Sequence, residues 1–272
     1  MNAPYVVAIP SRARSETIAR CTLPTVLNRG VPADRVTVWV TAAELDDYKP
    51  LEEVWGISVR DHGAPPGVRN ARNAMVRQYP VGTRLVQMDD DLRDVKYRAD
   101  SKTLVPVTDV DALIRSAFAM TAREGVNMWG IYPVENPYFM KPRTFLGLSY
   151  IIASFYGFTV TGEPEELVVT DDKEDYERSV RYFIRDGAVA RMENVTVKSN
   201  YYTEPGGLQT YRTPETIERG ARTLVALYPD PRAKDAIAQA IAGPDDTMPA
   251  EDLHLTLAYL GKMNDVTMTA DE

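Results

Sequence analysis

An α/β fold with a mostly parallel sheet flanked by helices is what this sequence predicts, and three observations carry the prediction. Short apolar runs alternate with helical patterns through residues 5–88, as strand–crossover–strand units with right-handed connections require. The first run, Tyr5-Val-Val-Ala-Ile9, is apolar at every position, so it reads as a strand buried on both faces. The chain has 272 residues, 44% of them hydrophobic, enough for one large domain with a true core.

Pro10-Ser11-Arg12 stops the first strand and opens a loop. A helical pattern follows over 17–27, with Ile18, Leu23, Val26 and Leu27 on one side, before Asn28-Arg-Gly30 ends it. Val36-Thr-Val-Trp-Val40 reads as a second strand, 42–54 as a helix and Ile57-Ser-Val59 as a third strand. Pro65-Pro-Gly67 opens a helix running to about Gln78, and Arg84-Leu-Val-Gln-Met88 is a fourth strand that ends in Asp89-Asp90-Asp91. Beyond a helix over 109–123, the aromatic, glycine-punctuated stretches 128–138 and 145–158 read as strands and loops around a site. A helix over 172–185, a strand over 189–197 and a closing helix over 214–228 complete the body.

Composition narrows the function. Lysine plus arginine is 31 against 39 acidic residues, a net charge of −8, with a pI near 5.0; a whole-surface cationic grip on nucleic acid is excluded, though a local basic groove is not. The acid is concentrated at the end, where residues 229–272 hold three basic and nine acidic groups and leave 28 against 30 in the rest. One cysteine, Cys21, provides neither an internal disulfide nor a zinc cluster and suits a reducing cytoplasm. Neither a secretory leader nor a membrane-length apolar run is present, so the expectation is a soluble, unexported protein with no membrane partner.

Three constellations could carry chemistry. Asp89-Asp90-Asp91 lies at the carboxyl end of a strand, where open α/β sheets bind ligands. Such hard oxygen donors suit Mg²⁺ or Mn²⁺, with Asp89 and Asp91 the better pair if the chain stays extended, because alternate side chains share a face. The same run also suits a solvated turn or a helix N-cap. Gly67-Val-Arg-Asn-Ala-Arg-Asn73 sets arginines at a helix start, a natural place for an anion and equally an ordinary exposed helix. Lys173-Glu174-Asp175-Tyr176-Glu177 opens another helix with carboxylates, which fit a general base and fit the helix dipole as well.

Strand–Pro-Ser-Arg, then Ala71-Arg72-Asn73, then strand–Asp89-Asp90-Asp91 resembles the nucleotide-sugar domain of glycosyltransferases with the GT-A fold. That resemblance implies a Rossmann-like, mixed but mostly parallel sheet and a single catalytic domain over 1–228, followed by an acidic tail over 229–272. It implies a Mn²⁺ or Mg²⁺ ion on Asp89 and Asp91, and a donor site lined by Pro10, Ser11, Arg12, Arg72, Asp89 and Asp90. Asp175, with Glu174 second, would be the base of an inverting transfer. The motifs around Trp129-Gly-Ile-Tyr-Pro133, Asn136-Pro-Tyr-Phe139, the 173–182 helix and Val195-Thr-Val-Lys198 look like phage-type glycosyltransferases associated with TET/J-binding-protein oxygenases. By that likeness Trp129, Tyr132 and Tyr138 shape the acceptor pocket, and Lys198, Tyr201 and Gly207 close over the diphosphate. The implied partners are a nucleotide-sugar donor and DNA carrying 5-hydroxymethyl pyrimidines, in the host cytoplasm if the gene is phage-borne.

A later histidine that many GT-A enzymes give to the metal has no counterpart, since only His62 and His254 occur and neither is at the matching place. His254 lies in Asp252-Leu-His-Leu-Thr-Leu-Ala-Tyr-Leu-Gly261, which resembles half of a two-histidine phosphoesterase, and its second motif is missing. The acidic pI favours a phage capsid or tail protein as acceptor, and the resemblance favours DNA, which is the reading taken. Two other readings stay open: a nucleotidyltransferase, which also pairs aspartates around a metal, and a non-catalytic virion module that keeps the fold.

Overall fold

In chain order the strands are β1 (Tyr5–Pro10), β2 (Val36–Val40), β3 (Ser58–Asp61), β4 (Arg84–Met88), β5 (Leu92–Arg98), β6 (Leu104–Pro106), β7 (Met128–Ile131), β8 (Thr144–Gly147), β9 (Phe155–Thr159), β10 (Val189–Met192) and β11 (Val195–Ser199). The helices are α1 (Ser15–Arg20), α2 (Thr22–Leu27), α3 (Leu45–Tyr48), α4 (Pro50–Trp55), α5 (Val68–Arg77), α6 (Val110–Glu124), α7 (Glu174–Asp186) and α8 (Pro214–Leu227). This computed structural model describes residues 4–170, 173–199 and 213–228.

Eight strands form one sheet in the order β3-β2-β1-β4-β9-β7-β10-β8. The first four are parallel, β9 runs against both its neighbours, β7 and β10 are parallel, and β8 closes the edge antiparallel. The sheet is therefore mixed and mostly parallel, as the alternation and the family likeness imply. From β1 the chain moves outward through β2 and β3 and then returns to place β4 on β1's other side. This reversal opens a crevice beyond the carboxyl ends of β1 and β4, where an open α/β sheet takes its ligands.

Alternation along β1 divides the core between the two faces. Tyr5, Val7 and Ile9 face one cluster with Ile18, Leu23, Val26, Ile114 and Phe118, while Ala8 faces the other with Met75, Val76, Phe158 and Tyr182. Helices α1, α2 and α6 thus cover one side and α5 and α7 the other.

Three readings need correction. The helix over 17–27 breaks at Cys21, because the Pro24 ring has no room for the carbonyl four residues earlier, that of Arg20. The helix over 42–54 is a 3₁₀ turn followed by α3 and α4, the last restarting at Pro50 as its first residue. The strand over 189–197 is two strands: β10 joins the large sheet, the chain turns at Glu193-Asn194, and β11 joins a second sheet ordered β11-β5-β6. Among the described residues no helix is long and apolar enough to cross a membrane. The acidic tail over 229–272, with His254, lies outside the described residues.

Trp129 is fully buried on β7, edge-on to Phe118 and Phe155 with centroids 5.6 and 5.4 Å away. A Cβ on Gly157 of the neighbouring strand would sit 2.6 Å from its Cε2, so the indole and that bare backbone fit only together. Gly157→Ala is expected to destabilise the fold by about 1–3 kcal/mol through overpacking. A thermal melt lowered by several degrees checks it; an unchanged midpoint would contradict this packing.

Candidate active site

The triple-aspartate run begins where β4 ends, beside the loop that follows β1. The chain turns at Asp90-Asp91 rather than staying extended, so the three carboxylates diverge. Asp90 is drawn inward: Ser11 Oγ donates to its Oδ2 at 2.6 Å and Arg14 Nη1 to its Oδ1 at 3.0 Å. Both oxygens are thereby engaged by the loop that follows β1, and Asp90 is 5% exposed. Asp91 Oδ1 accepts from Ser199 Oγ at 2.7 Å, tying the corner to β11. Asp89, with 34% of its side chain exposed, stands at the mouth and accepts from Arg72 Nη2 at 2.6 Å.

The β1 loop is shaped to fit. Ala13 adopts φ +52°, a conformation costly for a residue with a Cβ. Glu44 Oε1 holds its N–H at 2.6 Å, while the Tyr48 hydroxyl takes the Arg14 N–H at 2.8 Å and bonds Ser11 Oγ at 2.8 Å. Pro10 pairs with Trp39 at the end of β1 and Arg12 is exposed. Tyr48 and Ser199 were not singled out from sequence, and Arg14 was read only as one of the body's basic residues. Only their distance contacts identify them, and no local motif marks them.

Arg72 is 1% exposed and so is a buried support beneath the aspartate corner rather than part of a surface lining. Its Nη1 donates to Gln87 Oε1 (3.2 Å) and the Tyr156 hydroxyl (3.3 Å), and its Nη2 also reaches the Ala153 carbonyl (3.2 Å). Nε lies 3.8 Å from Glu174 Oε1 and has no hydrogen-bond partner. One guanidinium thus joins the end of β4 to the start of α7, and the three stretches marked in the sequence meet on it. Burial, then the charge of Asp175, pushes the Glu174 carboxyl up to about 8, against the pull of Arg72 and Arg178. Asp175 is half-buried; its Oδ2 accepts from the Tyr150 hydroxyl at 2.5 Å and its Oδ1 from the Tyr176 N–H at 2.9 Å. Tyr150 is itself stacked on Tyr176, ring centroids 4.2 Å apart.

The remaining expected residues separate. Trp129 belongs to the core, which corrects its assignment to an acceptor pocket. Tyr132 is buried, with the Arg191 guanidinium 5.4 Å over its ring, and Tyr138 is 70% exposed on the connection after β7. Lys198 is exposed on β11, opposite Asp94. Tyr201 and Gly207 lie outside the described residues. His62 is buried, and its Nδ1 accepts the Ala64 N–H at 3.1 Å.

Two oxygen donors of the kind a divalent cation takes, Asp89 and Asp91, stand at this corner, turned apart. Lost hydration lifts the Asp89 carboxyl above the ordinary range; Arg72 opposes this, and Asp91, Asp90 and Asp175 add to it. No group of three histidine, cysteine or acidic side chains converges as a metal cluster among the described residues. A cation on Asp89 and Asp91 would complete its shell with water and phosphate, as Mg²⁺ commonly does.

No protein-family model and no curated protein matches this chain. Solved structures do. Glucosyl-3-phosphoglycerate synthase from Mycobacterium tuberculosis, in complex with phosphoglyceric acid, is 13% identical with a TM-score of 0.53 over 82% of this chain and 78% of that one. The same enzyme with Mn²⁺, UDP-glucose and glycerol 3-phosphate gives 13%, 0.52, 82% and 79%. GalNAc-T7 with UDP, GalNAc and Mn²⁺ gives 11%, 0.51, 94% and 54%. At these identities the likeness shows the fold: this chain has the GT-A architecture, a mixed, mostly parallel sheet flanked by helices.

The Glu174 carboxyl binds its proton more tightly in the folded than in the unfolded chain. That contribution to stability is complete below about pH 4.5 and is lost as pH rises towards about 8. Glu174→Gln is therefore expected to flatten the decline in stability across that window. Urea melts at several pH values check it, and parallel curves for variant and wild type would refute it.

Proposed function

We propose that this chain is a metal-dependent, inverting glycosyltransferase that moves a sugar from a nucleoside-diphosphate donor to a hydroxyl, the acceptor being a 5-hydroxymethyl pyrimidine in DNA. The observation that carries the reading is the single buried guanidinium of Arg72 between Asp89 and Glu174, which brings the expected metal corner and the expected base helix to one crevice. The fold shared with donor-bound transferases supports it. The phage-type motifs support the DNA acceptor, and the near-neutral body, with 28 basic and 30 acidic groups, permits it.

Asp89 and Asp91 would hold the cation, which neutralises charge developing on the departing diphosphate. Arg72 keeps Asp89 in place from beneath. Asp175 takes the proton of the acceptor hydroxyl as the new carbon–oxygen bond forms and the anomeric carbon–phosphate oxygen bond breaks. Tyr150 and the Tyr176 amide fix both oxygens of that carboxylate, so its free lone pairs hold one direction. The base would act on the face opposite the leaving group, which gives inversion in one displacement.

Calorimetry with UDP, with and without Mn²⁺, tests the corner. Wild type should bind UDP only with Mn²⁺, and Asp89→Asn or Asp91→Asn should weaken that binding by about tenfold or more. Asp175→Asn should bind the donor normally and lose about 10²–10⁴ in kcat, with nucleoside diphosphate as the product; release of pyrophosphate from a nucleoside triphosphate would instead favour nucleotidyl transfer. Tyr150→Phe, a change of a positioning residue, should lower kcat by about tenfold while donor affinity stays unchanged. A normal rate for Asp175→Asn would exclude it as the base.

A further inference from the structure

Away from the aspartate corner, the outer face of α5 and the segment before α7 enclose a cleft of about 300 Å³, the volume of roughly ten waters. Arg69 and Arg77 stand on one wall with Asn70; Pro65, Val168 and Val169 supply an apolar side, and among the described residues no carboxylate lines the cleft. In a chain with 39 acidic and 31 basic residues, a pocket whose described lining holds two arginines is set apart from its surroundings.

The cleft is built rather than incidental. Asn73 clamps Val168 by both backbone groups, Nδ2 to the carbonyl at 2.7 Å and Oδ1 from the N–H at 3.0 Å. Glu177 of α7, fully buried, accepts the N–H groups of Val169 and Thr170 at 2.9 and 2.8 Å. Arg69 Nη1 donates to the Val169 carbonyl at 2.6 Å, which fixes its guanidinium at the rim. Arg77 is exposed and has no acidic or carbonyl partner among the described residues. Arg69 lies one turn from Arg72 on α5, and Glu177, which holds the 169–170 backbone, lies one turn from Glu174 on α7, so the cleft lies about a helical turn from the Arg72–Glu174 contact.

We infer that this cleft binds the phosphate group of an organic phosphate, charge against Arg69 and Arg77 and carbon against Pro65 and Val169. Guanidinium forks match phosphate oxygens, and the apolar wall selects an ester over the free ion. Its assignment to the acceptor rests on the glycosyltransferase reading. In that setting the cleft holds a phosphate of the acceptor while the neighbouring hydroxyl meets Asp175. It is separate from the Asp89 corner, which would take the donor's diphosphate through a cation.

Calorimetry on the full chain, without turnover, tests the site with three probes: inorganic phosphate, phenyl phosphate and a short oligothymidylate. Phenyl phosphate or the oligonucleotide should bind more tightly than inorganic phosphate. The tighter of the two tells whether the source is a monoester or a diester strand. Arg77→Gln should weaken that binding by about tenfold, and Arg69→Lys should weaken it further. Both variants should melt like wild type and bind UDP with Mn²⁺ as wild type does. No binding of any probe to wild type, or binding indifferent to Arg77→Gln, overturns the inference and leaves the donor reading standing. Failure of Mn²⁺-dependent UDP binding, with phosphate binding intact, overturns the donor reading and leaves the cleft.

Discussion

A guanidinium almost wholly withdrawn from water must be compensated by its surroundings, and Arg72 organises the crevice by the way it is compensated. It donates to Gln87, Tyr156, Asp89 and the Ala153 carbonyl, and it faces Glu174 without bonding it. Those partners come from β4, β9, the segment before β9, and α7. The side chain therefore fixes how the start of the acid helix meets the end of the central strand. Deleting one member of such a buried set leaves the others uncompensated, at a cost of about 3–5 kcal/mol. Arg14, 3.9 Å from Asp91, and Arg178, which acts on Glu174, share with Arg72 the charge of this group of carboxylates. Burial, ahead of the charge of Asp175, is what raises the Glu174 carboxyl.

Work within the triplet is divided by direction. Asp90 secures the β1 loop through Ser11 and Arg14, Asp91 secures β11 through Ser199, and Asp89 is left at the mouth. Equivalent residue types at adjacent positions thus serve the loop, the small sheet and the opening. The strain at Ala13 belongs to the same construction, since Glu44 and Tyr48 hold the loop in a shape that its own sequence does not favour.

Much of the fold was legible because the parallel half is written in runs that a sequence displays openly. β2 and β4 fall on the expected residues, and β1 and α5 differ by a residue or so at their ends. The segmented helices were hidden by their prolines, whose effect acts on the carbonyl four residues back. The small sheet escaped because β5, Leu92-Arg-Asp-Val-Lys-Tyr-Arg98, buries Leu92 and Val95 without regular alternation and, Tyr97 apart, is otherwise charged. In the site, Asp89, Arg72 and Glu174 were readable as residue types at element ends. Their convergence was not, because it depends on long-range contacts spanning 17 and about a hundred positions. Trp129 misled for a related reason, as an aromatic beside a glycine serves a pocket or a core equally well and only the bare backbone of Gly157 decides.

The turn at Glu193-Asn194 links strands that belong to different sheets. Glu193 is buried there, its carboxylate gripping Arg143 and Arg191 while its backbone bonds residues 141 and 143. On one side of the turn the chain leads back to α7, and on the other it reaches Ser199 and the aspartate corner. The length of this short connection is consequently a fixed dimension of the molecule. Extra residues can be absorbed at the exposed 99–103 tip between β5 and β6, whereas a single insertion at 193–194 would shift one acidic centre against the other. Divergence of size within this architecture is thereby channelled to that hairpin tip.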